Sequence, residues 1–420
     1  MSQIKEILEE WQSITLDKYC TFTQGIQIPH SEQFDEFKEG FIRYLYIRDY
    51  FSDSSACYVK NAYPNKIMNK EDIMMVNTGN TSGTVYSGKY GVLSNNAFKI
   101  GFDKKYIDRD FIFQFLKSDF LMSHLKKLYN HGGQPHVGHK NVAKVPLDLP
   151  PLPEQQKIAD ILNTVDAKIE VIDQQITETQ ELKKGLMQRL LTKGIGHTEF
   201  KESPLGEIPM SWEVVKFSKL ISKEVITHIQ DGNHGGSHPV SDDFVNEGIP
   251  FIMANCITKS NKLNLSKAKR ISEKQYNSLR IGFAKPNDVL LTHKGTVGLT
   301  AMVNTEHGNL MLTPQVTYYR ITQENVLLRK YLFYYFQSSL FQNLIDKFSK
   351  QSTRAYIGIT NQKKLQITLP SDIIEQKSIT NILTSVDEKL DVLLEKKTTY
   401  QELKKALMQQ LLTGKVRVKV

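Results

Sequence analysis

EQQKIADILNTVDAKIEVIDQQITETQELKKGLMQRLLT runs from Glu154 to Thr192, and EQKSITNILTSVDEKLDVLLEKKTTYQELKKALMQQLLT runs from Glu375 to Thr413. The two stretches align without a gap at a period of about 221 residues, with about half the positions identical. That period is far too long for a solenoid, so it marks duplication of a whole domain followed by a helix. In the first copy Ile158, Leu162, Val165, Ile169, Ile172 and Ile176 alternate spacings of four and three, which is a heptad seam. Thr179 interrupts the apolar run, and Leu182, Leu186 and Leu190 continue the face. In the second copy Ile379, Leu383, Val386, Leu390 and Leu393 repeat it, Lys397 interrupts, and Tyr400, Leu403, Leu407 and Leu411 resume.

A helix of that length spans about 58 Å at ~1.5 Å per residue. So narrow an apolar stripe needs a partner, most simply the other copy; the alternative is that each helix packs on its own domain. Proline-rich approaches precede both helices, VPLDLPPLPEQ (Val145 to Gln155) and ITLPSDIIEQ (Ile367 to Gln376). A Gly/Pro/polar connector, Lys193 to Glu213, follows the first.

The globular parts, 13–149 and 207–369, read as mixed α and β. Phe41 to Ile47, Asp72 to Val76, Pro250 to Ile257 and Asp288 to Thr292 read as buried strands. Each part closes with one aromatic helical stretch, DFIFQFLKSDFLMSHLKKL and KYLFYYFQSSLFQNLIDKF, then a polar loop (Tyr129 to Asn141, Ser349 to Asn361) and a short strand. The scaffold repeats while the loops differ, which suits two domains that read different things.

Bulk properties narrow the function classes. The chain has 420 residues and a formal net charge of +9, a modest basic excess that fits a polyanionic partner. No apolar run approaches the ~18 residues of a membrane span, and the N-terminal stretch does not read as a signal peptide. A cytoplasmic protein with no membrane role is expected. Cys20, Cys57 and Cys256 are isolated and odd in number, which suggests neither a disulfide framework nor a zinc site. Gly83 to Tyr90, GTVYSGKY, misses a phosphate-binding loop at Tyr90 and precedes a strand-like run, so a Gly-rich hairpin turn is expected. His131, His136 and His139 lack a cysteine or carboxylate to complete a zinc set. No G-x-S-x-G elbow and no Asn/Asp-Pro-Pro-aromatic tetrapeptide is present. Catalysis, metal binding and nucleotide binding are therefore not expected of this chain.

Leu149 to Ile169 (LPPLPEQQKIADILNTVDAKI), the QELKKxLMQxLLT helix ends, Leu205 to Val214 (LGEIPMSWEV) and the second LP…EQ…IL…VD segment resemble the specificity (S) subunits of type I restriction–modification enzymes. The resemblance spans the whole chain. One departure is that no IP-x-x-W-E precedes the first domain, where the counterpart is EEWQSITL (Glu9 to Leu16). The resemblance implies an α+β fold: two mixed α/β target-recognition domains joined by two long antiparallel coiled-coil helices, with a pseudo-two-fold internal repeat. The expected divisions are a first target-recognition domain (1–149), a helical spacer (150–196), a second such domain (197–369, with a connector at 197–206) and a second spacer (370–420).

The implied function is sequence-specific reading of double-stranded DNA for host defence. The subunit catalyses nothing itself, and it holds two methyltransferase (M) subunits and, in the full complex, motor-nuclease (R) subunits. S-adenosylmethionine, ATP and Mg2+ would belong to those partners, with no cofactor on this chain. Two unlike domains imply a bipartite, asymmetric target, with half-sites of roughly 3–5 bp about 34–36 Å apart and the helices as ruler. The recognition subunit of a type IIB system shares this architecture, and a coiled-coil scaffold with no DNA role is the reading from a different class. Base readers are Arg, Lys, Gln, Asn and sometimes His on loops or helix ends. In the first domain the candidates are Gln24, Gln27, Arg43, Arg48, Lys89, His131, Gln134, His136, His139 and Lys140. In the second they are His228, Gln230, Asn233, His234, Lys294, Lys350, Gln351 and Arg354, within the stretches His228 to His238, Thr292 to Thr296 and the loop before the second helix.

Overall fold

The computed structural model describes residues 10–127, 136–234, 238–349 and 355–419. It forms two compact units, Met1–Gln174 with Leu394–Val420, and Gln175–Leu393. The first contains strands β1 (Gln12–Thr15), β2 (Cys20–Gln24), β3 (Phe41–Leu45), β4 (Tyr58–Lys60), β5 (Ile67–Met68), β6 (Ile73–Val76), β7 (Val85–Tyr86), β8 (Gly91–Leu93) and β9 (Ala97–Phe102). Helices α1 (Arg109–Leu116), α2 (Asp119–Lys126) and α3 (His139–Ala143), strand β10 (Pro146–Leu149) and the long helix α4 (Leu152–Lys193) follow.

The chain then repeats the order. It gives β11 (Phe200–Lys201), β12 (Ile208–Pro209), β13 (Trp212–Lys216), α5 (Phe217–Ser222), β14 (Ile226–Gln230), β15 (Phe244–Ile252), β16 (Lys269–Ile271), α6 (Glu273–Ser278), β17 (Phe283–Ala284) and β18 (Val289–Lys294). After these come β19 (Thr296–Met302), β20 (Leu310–Leu312), β21 (Val316–Ile321), α7 (Arg329–Gln337), α8 (Ser339–Ser349), α9 (Ile359–Lys364), β22 (Gln366–Pro370) and α10 (Ile373–Leu411).

The four-stranded sheets match one for one. β2-β9-β6-β7 in the first unit corresponds to β14-β21-β18-β19 in the second, and β4-β3-β8-β5 to β16-β15-β20-β17. Even the exception repeats: β3 runs parallel to β8 and β15 to β20, while the other pairs are antiparallel. β1 pairs antiparallel with β10, and β13 with β22.

Each aromatic stretch read as one helix is two. The Ser118 hydroxyl accepts from the Leu121 N–H, and the Ser338 hydroxyl from the Phe341 N–H, so each serine caps a new helix after a break. The α1 and α2 faces bury Phe111, Phe115 and Leu121 with Ile158 and Leu162 of α4 and Leu411 of α10. In the second unit Tyr331, Tyr335 and Phe336 pack with Trp212, Leu190, Ile379 and Leu383. Each such side chain contributes about 1.5–3 kcal/mol on full burial. The segments read as plain loops also hold the short helices α3 and α9, which start after Gly138 and Gly358. Gly83 to Tyr90 forms the β7 edge and a turn at Gly88, with φ of 95°.

The Glu-Gln pair repeated in the first turn of each long helix acts as a fastener. The buried Gln155 carboxamide accepts from the Asp108 N–H and donates to the Tyr106 and Pro150 carbonyls. Gln376 makes the same three bonds, to the Leu328 N–H and the Val326 and Pro370 carbonyls. Glu375 accepts from Trp212 Nε1 (2.9 Å), and Glu154 accepts from Trp11 Nε1 (3.0 Å). Trp11, with β1 behind it, is therefore the structural equivalent of Trp212, and residues 11–16 do the work of the missing IP-x-x-W-E.

The long helices pair antiparallel. In the first unit Lys404 meets Asp166 (2.7 Å) and Lys397 meets Asp173 (2.6 Å); in the second Lys183 meets Asp387 (2.7 Å). Ile158, Leu162, Val165, Ile172, Ile176, Leu190, Ile379, Leu383, Val386, Leu393 and Leu411 are buried, and Ile169, Leu186, Leu390 and Leu407 are half-buried. Leu403 is not on the seam. It is 45% exposed, as its repeat counterpart Leu182 is 51% exposed. The heptad instead runs unbroken through polar residues: Thr179 is buried, and Lys183 and Lys404 lay their stems along the seam while their ammonium groups reach aspartates.

Candidate nucleic-acid interface

At one end of each domain the first sheet, the loop that leaves its first strand, and the residues just before the short helix converge. The backbone hydrogen bonds there repeat. Asn77 N–H donates to Asn96 C=O and Val137 N–H to Asn77 C=O; His293 N–H donates to Gln315 C=O and Ile357 N–H to His293 C=O. Thr78 bridges His136, and Lys294 bridges Tyr356. Both first strands leave through a glycine pressed onto the neighbouring turn. A Cβ on Gly25 would sit 1.9 Å from the Ser94 carbonyl oxygen, and one on Gly232 1.7 Å from that of Leu312. These registers match Gln24 with Asp231, Gln27 with His234, Asn77 with His293, Thr78 with Lys294, and His136 with Tyr356.

The side chains at the matched positions differ in kind. In the first domain they form a network of carboxamides and a hydroxyl around one histidine, with no carboxylate or ammonium side chain among them. Gln24 Nε2 donates to the Asn95 (2.6 Å) and Ala97 (3.2 Å) carbonyls, and Asn77 Nδ2 donates to the Asn95 carbonyl (3.3 Å). Asn95 Nδ2 donates to Gln27 Oε1 (3.3 Å), and Thr78 Oγ1 donates to Asn77 Oδ1 (3.0 Å) and lies 3.1 Å from His136 Nδ1.

In the second domain they form an ionisable one. Asp231, 6% exposed, accepts from His234 Nε2 at 2.9 Å and lies 3.6 Å from His293 Nε2. His293 Nδ1 is 3.0 Å from the Ile357 carbonyl, which can only accept, so Nδ1 carries a proton. Its Nε2 is buried without a hydrogen-bond partner. Burial lowers the His293 pKa, against the opposing pull of the Ile357 carbonyl and Asp231. Beside this group a cavity of about 400 Å³ is lined by His234, His238, Phe244, Phe251, Met253, Lys294, Thr313, Pro314 and Gln315.

The predicted site residues divide accordingly. Gln24, Gln27, His136, His234 and Lys294 belong to the matched clusters. Gln230 accepts from the Tyr318 hydroxyl (3.0 Å), and His228 stacks on that tyrosine, 5.9 Å between ring centroids. Burial, then Arg320, lowers the His228 pKa. His139 opens α3 with its ring 6.1 Å from Phe98, and Lys140 beside it is exposed. Arg48 is exposed over the Tyr46 ring, 4.5 Å from its centroid.

Three candidates serve the scaffold or each other. Arg43 is clamped to the buried Asp49 (2.5 Å) and to Asp53 (3.0 Å), so its guanidinium is not offered to a groove. Lys89 shares Asp53 at 2.9 Å. Asn233 is 4% exposed and ties the loop down, donating to the Ile281 carbonyl and accepting from the Arg280 N–H. His131, Gln134, Lys350, Gln351 and Arg354 lie outside the described residues.

Sequence reasoning missed Asn77, Thr78, Asn95, Gln315 and Tyr356. The available signal was position: each stands at the end of a strand or beside one. Among the described residues no group of three His, Cys, Asp or Glu is placed to hold a metal ion, and no helix is long and apolar enough to cross a membrane.

A family described as the Type I restriction modification DNA specificity domain matches this chain at residues 8–181 and again at 222–405. The chain is 29% identical to the type I restriction enzyme MjaVIII specificity subunit of Methanocaldococcus jannaschii, over 98% of this chain and 94% of that protein. It is 23% identical to the type I restriction enzyme EcoBI specificity subunit of Escherichia coli, over 89% of this chain and 78% of that one. Its fold is similar to the crystal structure of the type I restriction–modification system S subunit from M. genitalium, with a TM-score of 0.58, 12% identity and 96% of each chain covered. A chain from the solved assembly of a type I R-M system gives the same TM-score at 19% identity, over 96% of this chain and 97% of that one.

Proposed function

Because the chain belongs to the family of type I restriction modification DNA specificity domains, we propose that it is the non-catalytic subunit that reads DNA for a type I restriction–modification complex. Each domain contacts one half of a bipartite, asymmetric target. The observation that carries this reading is that one scaffold occurs twice with the same strand registers, while the side chains at matched tip positions are carboxamides, a hydroxyl and one histidine in one copy and include an aspartate, a lysine and two histidines in the other. Identical domains would read identical half-sites; these would not. Lysines around the tips, such as Lys140, supply phosphate contacts and make binding salt-dependent.

The long helices hold the partners. Val171 and its repeat counterpart Val392 are 51% and 49% exposed. With the exposed Leu182 and Leu403 they give each helix the same apolar contacts, one set for each of two methyltransferase subunits. S-adenosylmethionine, and ATP with Mg2+ where motor-nuclease subunits join, are bound by those partners.

The test is to express the chain with its methyltransferase subunit in a host lacking both and to sequence the methylated DNA. A bipartite motif with unlike halves is expected, absent when this chain is omitted. A palindromic or uninterrupted motif would overturn the reading. Inserting four residues into both long helices should change the spacer between the halves, and an unchanged spacer would overturn the ruler role.

A further inference from the structure

We propose that the matched tip positions are the base-reading positions of both domains, and that they assign unlike base chemistry: an adenine edge to the first domain through Gln27, and a guanine edge to the second through Lys294. This rests on the DNA-reading function above and goes beyond it by naming the residues and the base classes.

Gln27 is exposed, and its Oε1 accepts from Asn95 Nδ2. That bond orients the carboxamide, with the Nε2 donor and the second Oε1 lone pair available to a ligand. A donor beside an acceptor on one planar amide matches the N7 acceptor and N6 donor that adenine alone presents side by side in the major groove. Thr78 is fixed between Asn77 and His136, and the Lys66 ammonium on this side is held by the Gln24 carbonyl (2.8 Å), so among these groups it is Gln27 that offers a donor beside an acceptor.

In the second domain the position of Thr78 is taken by Lys294, exposed at the tip of the β18–β19 hairpin. Gly295 N–H donates to the Ala355 carbonyl (3.1 Å) behind it, so the tip is held. No carboxylate lies within ion-pair distance of the Lys294 ammonium among the described residues. Asp231, the nearest acid of the cluster, is engaged by His234 and faces His293. A lysine without an acid partner, at the rim of a cavity that His234 and Gln315 also line, is suited to guanine, whose N7 and O6 are both acceptors. Adenine would set its N6 donor against the ammonium.

The experiment uses the chain assembled with its methyltransferase subunit on duplexes carrying the methylated motif. Replacing the guanine of the second half-site by 7-deazaguanine, which lacks N7, should weaken binding about five- to 150-fold. Lys294→Gln should weaken binding to the natural duplex to a similar extent and abolish the sensitivity to 7-deazaguanine. Gln27→Ala should do the same for 7-deazaadenine in the first half-site and leave the second untouched. Both side chains are exposed, so co-elution with the methyltransferase subunit checks that the variants are folded.

A second half-site without guanine, a Lys294→Gln loss that is equal on every sequence, or retained sensitivity to 7-deazaguanine would each overturn the assignment. Absence of any methylated motif with the unaltered chain would instead overturn the DNA-reading function and the assignment with it.

Discussion

Glu154 and Glu375 close their domains in the same way but with partners from different parts of the chain. Glu375 accepts from Trp212 Nε1, from His197 Nε2 (2.8 Å) and from the Ile195 N–H (3.0 Å), the last two from the connector just after α4. Glu154 accepts from Trp11 Nε1, from Arg417 Nη2 (2.8 Å) and Nε (2.9 Å), and from the Val418 N–H (3.1 Å), all but the tryptophan from the segment just after α10. The bends that bring these segments round are left-handed glycines in both cases, Gly194 with φ of 65° and Gly414 with φ of 69°. Antiparallel pairing is the cause, since it sets the start of one helix beside the end of the other in each unit. Each domain is thus sealed by the chain that leaves the other long helix, with an arginine in one seal and a histidine in the other. An arginine is always cationic, whereas a histidine need not be.

The largest expected effect falls equally on both units and tests whether they are equivalent at all. Gln155→Ala and Gln376→Ala each strand two carbonyls and one N–H beneath a helix end, and each should destabilise its own unit by about 3 kcal/mol or more. The chain has two tryptophans, Trp11 and Trp212, and both are seal residues. Trp11→Phe therefore leaves a fluorescence reporter of the second unit alone, and Trp212→Phe one of the first. Urea unfolding followed in these two backgrounds should show each glutamine variant moving its own reporter. Equal movement of both reporters by either variant would mean the units do not unfold separately.

Next in size is a change that should separate the units. Removing residues 414–420 takes the bidentate Arg417 and the Val418 N–H from Glu154, which is 2% exposed, and leaves its carboxylate to Trp11 without a cation. A loss of stability in the first unit is expected, smaller than that of the glutamine variants, with no change at Trp212. Acid should do the same reversibly. Burial raises the Glu154 pKa, but Arg417, the Val418 N–H and Trp11 outweigh it, and the net shift is downward. A depressed folded pKa contributes stability that is complete above the unfolded carboxylate value and is lost as pH falls through the folded one. The Trp11 signal should therefore lose stability below about pH 4, and the truncated chain should lack that loss. An acid transition that persists after truncation would place its origin elsewhere.

How much of this could be read in the sequence follows from how local each feature is. The long helices, their pairing and the fastener glutamines lie in one gapless repeat, so one alignment exposes them. Leu403 misled because apolar character was followed instead of phase. The heptad continues through Lys404, and an ammonium on a long stem can occupy a seam position that a hydrophobicity pattern skips. The matched tips were hidden for a different reason. Asn77 and His293 correspond only through strand register and backbone bonds to segments about 60 residues away, and the loops between differ in length and sequence. Arg43 reads as a base contact in the sequence because the turn that draws Asp49 and Asp53 to it is not revealed by composition.

Smaller in energy, but decisive for partner binding, are the exposed leucines that stand off the seam. Leu182→Lys and Leu403→Lys each replace an exposed side chain and should leave unfolding within about 0.5 kcal/mol. Each single variant should retain one methyltransferase subunit, and the double variant neither, by analytical ultracentrifugation of the mixture. Full retention by the double variant would remove these residues from the docking surface.

The smallest effect lies in the paired helices themselves, where the repeat is nearly but not fully kept. Lys183 and Asp387 are the counterparts of Lys404 and Asp166, yet the surroundings differ: Gln114 donates to Asp166 where Tyr334 donates to Asp387. Lys183 also donates to Gln337 Oε1 (3.2 Å), whereas the corresponding neighbour in the first unit is Lys117. The Lys117 pKa is lowered by desolvation and then by Lys404, so two ammonium groups compete for Asp166. Asp166 itself is raised by burial but brought below its usual value overall by Lys404 and Gln114. Lys117→Gln should make the first unit resemble the second and stabilise it by up to about 0.5 kcal/mol, with the gain shrinking as salt screens the repulsion. A double-mutant cycle on Lys404 and Asp166 should then give a larger coupling in the Lys117→Gln background than in the unaltered chain. A coupling that stays the same would mean that Lys117 is too well solvated to matter, and that the two helix pairs are equivalent after all.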